Sequence, residues 1–214
     1  MADFAPSPEV LQQVERLRQE LRIEAGAAVV GFVGRLVRDK GIKELVDAYL
    51  LMRSRFPSLV LLLVGPFEEG DPVDSRTREL IEATSGIVTV GRVEDVVPYY
   101  HLMDVLAFPT HREGFGTVAL EAAAAGKPVV TTDATGAVDS VVHGVTGFIG
   151  PVGDVEALAN ALGRLIEDPV LAQKMGQAGQ ERVLRDFRPE MIWVGYERIY
   201  RELLRKTGAG GGGR

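Results

Sequence analysis

The chain has 214 residues, 24 basic against 30 acidic side chains, and a formal net charge of −6. That length allows one large domain or two small ones at roughly 150 residues each, and a composition 46% hydrophobic and 25% charged suits a chain that buries a core. The lack of cysteine excludes disulfides, thiolate metal sites and cysteine nucleophiles; no apolar run reaches the roughly 20 residues of a membrane span, the acidic start Met1-Ala-Asp is unlike a signal peptide, and the acidic balance argues against a nucleic-acid partner.

Apolar residues Val10, Leu11, Val14, Leu17 and Leu21 recur at helical spacing, so a helix is expected over 8–21, capped by Ser7 with Pro8 in its first turn. Residues 27–34 are apolar on both faces and short, as in a buried parallel strand. Helical periodicity returns over 40–56, followed by a strand at 58–65, a helix at 75–84 and a strand at 87–91. A short helix at 96–102, a strand at 104–109, a helix at 117–125, a strand at 128–132 and a brief strand at Phe148-Ile149 complete the alternation. From Asp154 the pattern is helical almost to Lys206, broken near Asp168-Pro169 and Arg188-Pro189. Strand and helix alternate as in an α/β fold with a doubly wound parallel sheet, Rossmann-like. The domain division expected is a linker and helix over 1–26, a nucleotide-binding domain over 27–186, a C-terminal helix over 187–206 and a Gly-rich tail over 207–214.

Ligands of such sheets bind beyond the carboxyl ends of the strands. The loop after the first strand, beginning at Gly34, carries Arg35 and Lys40, expected side by side; the loop after the fourth is a Gly-rich turn, Gly114-Phe115-Gly116-Thr117, opening a helix. A helix start offers unpaired amides and partial positive charge, and with a guanidinium and an ammonium this makes a pyrophosphate site that calls for no metal. No Asp-x-Asp or His/Asp cluster stands at ligand spacing. Glu113 and Glu121 flank the turn; helical rises over that span total about 12 Å, placing a sugar at Glu113, phosphates at the turn and a ribose at Glu121. Glu121 would be costly if buried and unpaired. His111 reads as polar surface, His101 and His143 as structural residues, and Arg16, Arg18 and Arg22 as a solvated helix face.

The runs VGRLVRDKG (33–41), EGFGTVALEAAAAGKPVV (113–130) and HGVTGFI (143–149) resemble those of the large, mostly metal-independent, retaining GT-B glycosyltransferases of group 1. The resemblance spans roughly residues 4–200 and implies the C-terminal, donor-binding half of that fold. It assigns Arg35 and Lys40 to the diphosphate of a nucleoside diphosphate sugar, Glu113 to the transferred sugar, the Gly114–Thr117 amides to sugar and phosphate, Glu121 to the ribose, and the loop with Arg92 and Val93 to the base. Arg35, Lys40 and Glu113 are the residues it implicates in catalysis, with no cofactor or metal. ATGAVDSVVHG (134–144) looks like the subset that builds cell-envelope or exopolysaccharide glycans. Such an enzyme is expected in the cytoplasm, with peripheral attachment at the inner face of the membrane in the full-length form.

Enzymes of this kind are nearly twice as long, and Phe4-Ala-Pro-Ser-Pro resembles the linker after their N-terminal acceptor domain. The chain is therefore expected to need that domain or a partner chain, and to be inactive alone, whether it is a piece of a longer enzyme or half of a split one. The apolar face of the last helix (Ile192, Trp193, Tyr196, Ile199, Tyr200, Leu203) would otherwise be exposed, refolded or covered by self-association. The alternative is a standalone nucleotide-sugar binding or interaction module without turnover, or, less favoured, a GT-B-like sugar epimerase. An NAD site is the remaining rival: Gly114-Phe-Gly116-Thr-Val-Ala119 fits G-x-G-x-x-A and Asp133 follows a strand. Its first glycine, however, lies five residues beyond Pro109, too far for the tight strand-to-helix turn, and Arg35, Lys40 and Glu121 stay unexplained.

Overall fold

A computed structural model describes residues 4–187 and 197–205. Six parallel strands, β1 (Val29–Val33), β2 (Val60–Val64), β3 (Ile87–Gly91), β4 (Val105–Phe108), β5 (Val129–Thr132) and β6 (Gly147–Gly150), form one sheet in the order β3-β2-β1-β4-β5-β6. The helices are α1 (Pro8–Glu20), α2 (Ile42–Met52), α3 (Ser75–Ala83), α4 (Val97–Leu102), α5 (Thr117–Ala124), α6 (Val155–Glu167) and α7 (Pro169–Asp186), with 3-10 turns at Arg38–Lys40 and Val138–Ser140.

The central strands are buried but for Val33 at the end of β1, which is why they read as unbroken apolar runs rather than alternating ones. Val30, Phe32, Leu61, Leu63, Val105 and Ala107 face one core with α2 and α6. Val29, Leu62, Val64, Leu106 and Phe108 face the other, with α4 and α5. The β3 strand, at one sheet edge, is only half-buried. Ser7 caps α1 as expected, its hydroxyl accepting the Val10 amide at 3.3 Å, and α1 packs on α4, bringing Phe4, Val14, Leu17 and Leu21 onto the second core. The break at Asp168-Pro169 separates α6 from α7, with Asp168 capping the latter.

The helix expected over 40–56 begins later, at Ile42, because Arg38–Lys40 is a 3-10 turn and Gly41 is left-handed. The Val138–Ser140 turn was not expected at all. Residues 197–205 are helical with Ile199 and Tyr200 exposed; Ile192, Trp193, Tyr196, the break at Arg188-Pro189 and the Gly-rich tail lie outside the described residues. Among the described residues no helix is long and apolar enough to cross a membrane.

Candidate functional site

Strand order reverses between β1 and β4, so the crevice beyond their carboxyl ends is where a doubly wound sheet takes its ligand. The loop after β1 is pinned to the one after β2: the Gly34 amide donates to the Val64 carbonyl at 2.9 Å and the Leu36 amide to that of Pro66 at 2.8 Å. Leu36 and Val37 are buried, which leaves Arg35 turned outward. Its exposed guanidinium meets the half-buried Glu68 carboxylate at 2.8 Å.

The same loop is clamped to the loop after β4. The Asp39 carbonyl accepts the His111 amide at 2.9 Å and the Thr110 hydroxyl at 3.3 Å, while the Asp39 amide donates to the Asp71 carboxylate at 2.8 Å. Gly41 explains how closely the loops approach: at φ 70°, a Cβ there would stand 2.0 Å from the Pro109 carbonyl oxygen. Lys40 is thereby set against the Gly-rich turn, its ammonium 2.8 Å from Oε2 of Glu113 and donating to the Arg112 carbonyl at 3.3 Å. The two side chains are 15% and 22% exposed, so this pair is far better shielded than that of Arg35.

Oε1 of Glu113 accepts the Gly114 amide at 2.9 Å. Burial works to raise the Glu113 pKa, but the Lys40 ammonium and the Gly114 and Phe115 amides outweigh it and hold the carboxyl below its ordinary value. Gly116, left-handed at φ 67°, precedes α5 and leaves the first amides of Thr117 and its successors at the crevice, with the positive end of the helix dipole. The site therefore gathers an ammonium, a nearby guanidinium and a helix N-terminus around a carboxylate, an arrangement suited to a ligand that joins phosphates to hydroxyls.

Arg35 and Lys40 share a loop, and each meets its own carboxylate, Glu68 and Glu113. One expectation needs correction: no single helix joins Glu113 to Glu121, since residues 113–116 are irregular, with Gly116 left-handed, and helical rise applies only from Thr117. Glu121 is not unpaired, since the Tyr100 hydroxyl donates to its Oε2 at 2.8 Å. Tyr100 is fully buried, and burial first, then the Glu121 charge and hydrogen bond, push its phenol far above its usual pKa.

Phe115 is half exposed, its ring 6.0 Å from that of Phe187. Arg92 is exposed and Val93 packs on the α4/α5 core, at the same carboxyl edge two strands away from β1. His111, expected as polar surface, holds its Nε2 3.2 Å from the Glu44 carboxylate on α2. His101 Nε2 lies 3.0 Å from the Phe4 carbonyl, with burial lowering its pKa, and His143 Nδ1 accepts the Ile149 amide at 3.0 Å, both structural roles. A depression of about 780 Å³ opens beside Arg35, lined also by Arg38, Glu68, Asp71, His111 and Arg112. Glu68, Asp39, Thr110 and Tyr100 were not singled out from sequence. Their parts depend on contacts with residues far along the chain; only Thr110, polar at the end of an apolar strand, carried a local signal. Among the described residues no group of three or more acidic or histidine side chains is placed to hold a metal ion.

The sheet and the place where its order reverses define the class: a Rossmann-like α/β domain of the kind that makes up half of a GT-B glycosyltransferase. The chain belongs to the glycosyl transferases group 1, whose sequence profile matches residues 13–182. It is 39% identical over 179 residues to the capsular polysaccharide biosynthesis glycosyltransferase CapM of Staphylococcus aureus, covering 84% of this chain and 47% of that one. Anabaena HepE, solved in complex with UDP, superposes with a TM-score of 0.81 at 30% identity, over 94% of this chain and 54% of HepE. The C-terminal domain of the group 1 protein LpcC from Francisella tularensis gives a TM-score of 0.74 at 25% identity, over 87% of this chain and 96% of that domain. The chain thus spans about half the length of the curated relatives it matches.

Proposed function

We propose that this chain is the donor-binding domain of a retaining glycosyltransferase that moves a sugar from a nucleoside diphosphate sugar to an acceptor hydroxyl. The observation that carries the reading is the Lys40–Glu113 contact of 2.8 Å, set in front of α5 where the strand order reverses. HepE structures containing UDP, UDP with glucose, and UDP-glucose support a nucleotide-sugar ligand, and the likeness to CapM supports a cell-envelope or exopolysaccharide product.

In the reaction the bond from the anomeric carbon to the diphosphate oxygen breaks and its electron pair leaves with the diphosphate. The acceptor oxygen bonds to that carbon on the same face and passes its proton to the departing diphosphate oxygen. Lys40, Arg35 and the amides of Gly116 and Thr117 stabilise the charge growing on the leaving group. These groups supply the charge complement of a diphosphate, which favours a metal-independent reaction. Glu113, held ionised by Lys40 and the turn amides, orients the hydroxyls of the transferred sugar. With Oε2 held by Tyr100, Glu121 has its remaining acceptor sites for a ribose; Arg92 and Val93 border the base. Retention rests on the family resemblance alone.

Turnover requires the acceptor half that the longer relatives have. Adding a separately made N-terminal domain and assaying sugar transfer tests this: recovered activity excludes a binding module without turnover. Unchanged nucleotide affinity in Arg35→Ala and Lys40→Ala would overturn the site.

A further inference from the structure

Arg182, on α7, makes a set of contacts that the donor site as described does not use. Its two terminal nitrogens donate to consecutive carbonyls, Ser140 at 2.8 Å and Asp139 at 2.7 Å, at the end of the Val138–Ser140 turn. The central carbon of the same guanidinium lies over the Phe187 ring, 4.9 Å from its centre. Both partners lead to the Gly-rich turn. Ser140, its hydroxyl tied to the Ala137 carbonyl at 2.6 Å, lies so close to Gly116 that a Cβ there would sit 3.1 Å from the serine oxygen. Phe187 sets its ring edgewise on Phe115, centroids 6.0 Å apart.

We infer that Arg182 is a positioning residue for the diphosphate turn. It braces the α5 N-terminus at Gly116 through Ser140, and braces Phe115 through Phe187, so that the amides of residues 114–117 are held in place before a ligand arrives. The inference rests on the reading of Gly114–Thr117 as the donor-binding turn. Attachment of α7 does not explain the contacts, because that helix is already anchored by buried Met175 and Val183 and by Gln180 donating to the Ala124 carbonyl at 2.8 Å. Only a planar guanidinium can fork onto two carbonyls and stack on a ring at once; a lysine at the position could do one or the other.

The test uses the full chain with Arg182→Gln, Arg182→Lys and Phe187→Leu, and Arg185→Gln as a control whose exposed side chain meets the carboxylate of its neighbour Asp186. Calorimetry with UDP, GDP and ADP reads affinity, and amide hydrogen exchange over residues 113–120 reads the turn without ligand. Arg182→Gln is expected to weaken binding of the preferred diphosphate about tenfold and to speed exchange over 113–120 while the central strands keep their protection. Arg182→Lys recovers part of the affinity, and Arg185→Gln matches the unaltered chain. A lower melting midpoint with unchanged affinity and unchanged exchange over 113–120 overturns the inference, as does a loss of affinity with no change in that exchange. If Arg182→Gln fails to fold, Phe187→Leu decides by the same two readouts. If the unaltered chain binds none of the three diphosphates, the donor reading fails on its own, and exchange over 113–120 still decides whether Arg182 positions the turn.

Discussion

Separate and joint removal of the Lys40 and Glu113 charges measures how firmly the two loops of the crevice are coupled. The pair joins residues 73 positions apart at 2.8 Å, with side chains 15% and 22% exposed. Exposed ion pairs contribute about 0.2–1 kcal/mol, whereas breaking a fully buried one costs about 3–5 kcal/mol because the survivor is left unpaired. Here each survivor keeps other partners, the Arg112 carbonyl for Lys40 and the Gly114 and Phe115 amides for Glu113, so a coupling of about 1–2 kcal/mol is expected. Lys40→Met, Glu113→Gln and the double variant, each unfolded in urea, close the cycle. Each single variant should lower the thermal midpoint by about 2–4 °C per kcal/mol lost, with the double variant less destabilised than the sum of the two. Single effects that add to the double within about 0.5 kcal/mol would show that the loops are not held together by this contact.

Gly41→Ala should cost about 2–4 kcal/mol, since the new Cβ meets the Pro109 carbonyl at 2.0 Å in a left-handed conformation; equilibrium unfolding would show it. The folded-state pKa of Glu113 is depressed, so its contribution is fully present above the ordinary value of 4.5 and is lost as pH falls through the lower folded value. The acid limb of a stability–pH profile below pH about 4.5 should therefore flatten in Glu113→Gln. Tyr100→Phe removes a buried donor from Glu121 and should cost about 1–3 kcal/mol, measured by urea unfolding. Arg35→Ala should leave the melting midpoint in place, as its guanidinium is exposed, yet weaken nucleoside diphosphate binding about tenfold by calorimetry, the size of one charge-assisted hydrogen bond.

The parallel sheet was legible because its strands are short and apolar on both faces, as in Val29–Val33 and Val60–Val64, while helices such as Val155–Glu167 show a single apolar stripe. Punctuation was legible too: Ser7, Asp168 and Pro169 mark helix starts by local chemistry alone. The Val138–Ser140 turn was not, because three residues closed by local bonds leave no periodic pattern. At the site, Lys40, Glu113 and the Gly-rich turn stood out by residue type, but their mutual geometry depends on Gly41 lying against Pro109 and on the Asp39 backbone meeting Thr110 and His111. Such contacts join positions some 70 residues apart and have no signature in either segment. The same holds for the pairing of Arg35 with Glu68 and of Glu121 with Tyr100, each of which turned an isolated charge in the sequence into half of a pair.

The central claim is that the crevice between the loops after β1 and β4 binds the diphosphate of a nucleotide sugar. Isothermal titration of the chain with UDP, GDP and ADP and their hexose derivatives, repeated on Lys40→Ala, tests it most directly. The account predicts saturable binding of one base series, competition between the diphosphate and its sugar, and a loss of affinity of about tenfold or more in Lys40→Ala. No binding of any of these ligands, or equal affinity with and without the Lys40 ammonium, would contradict it.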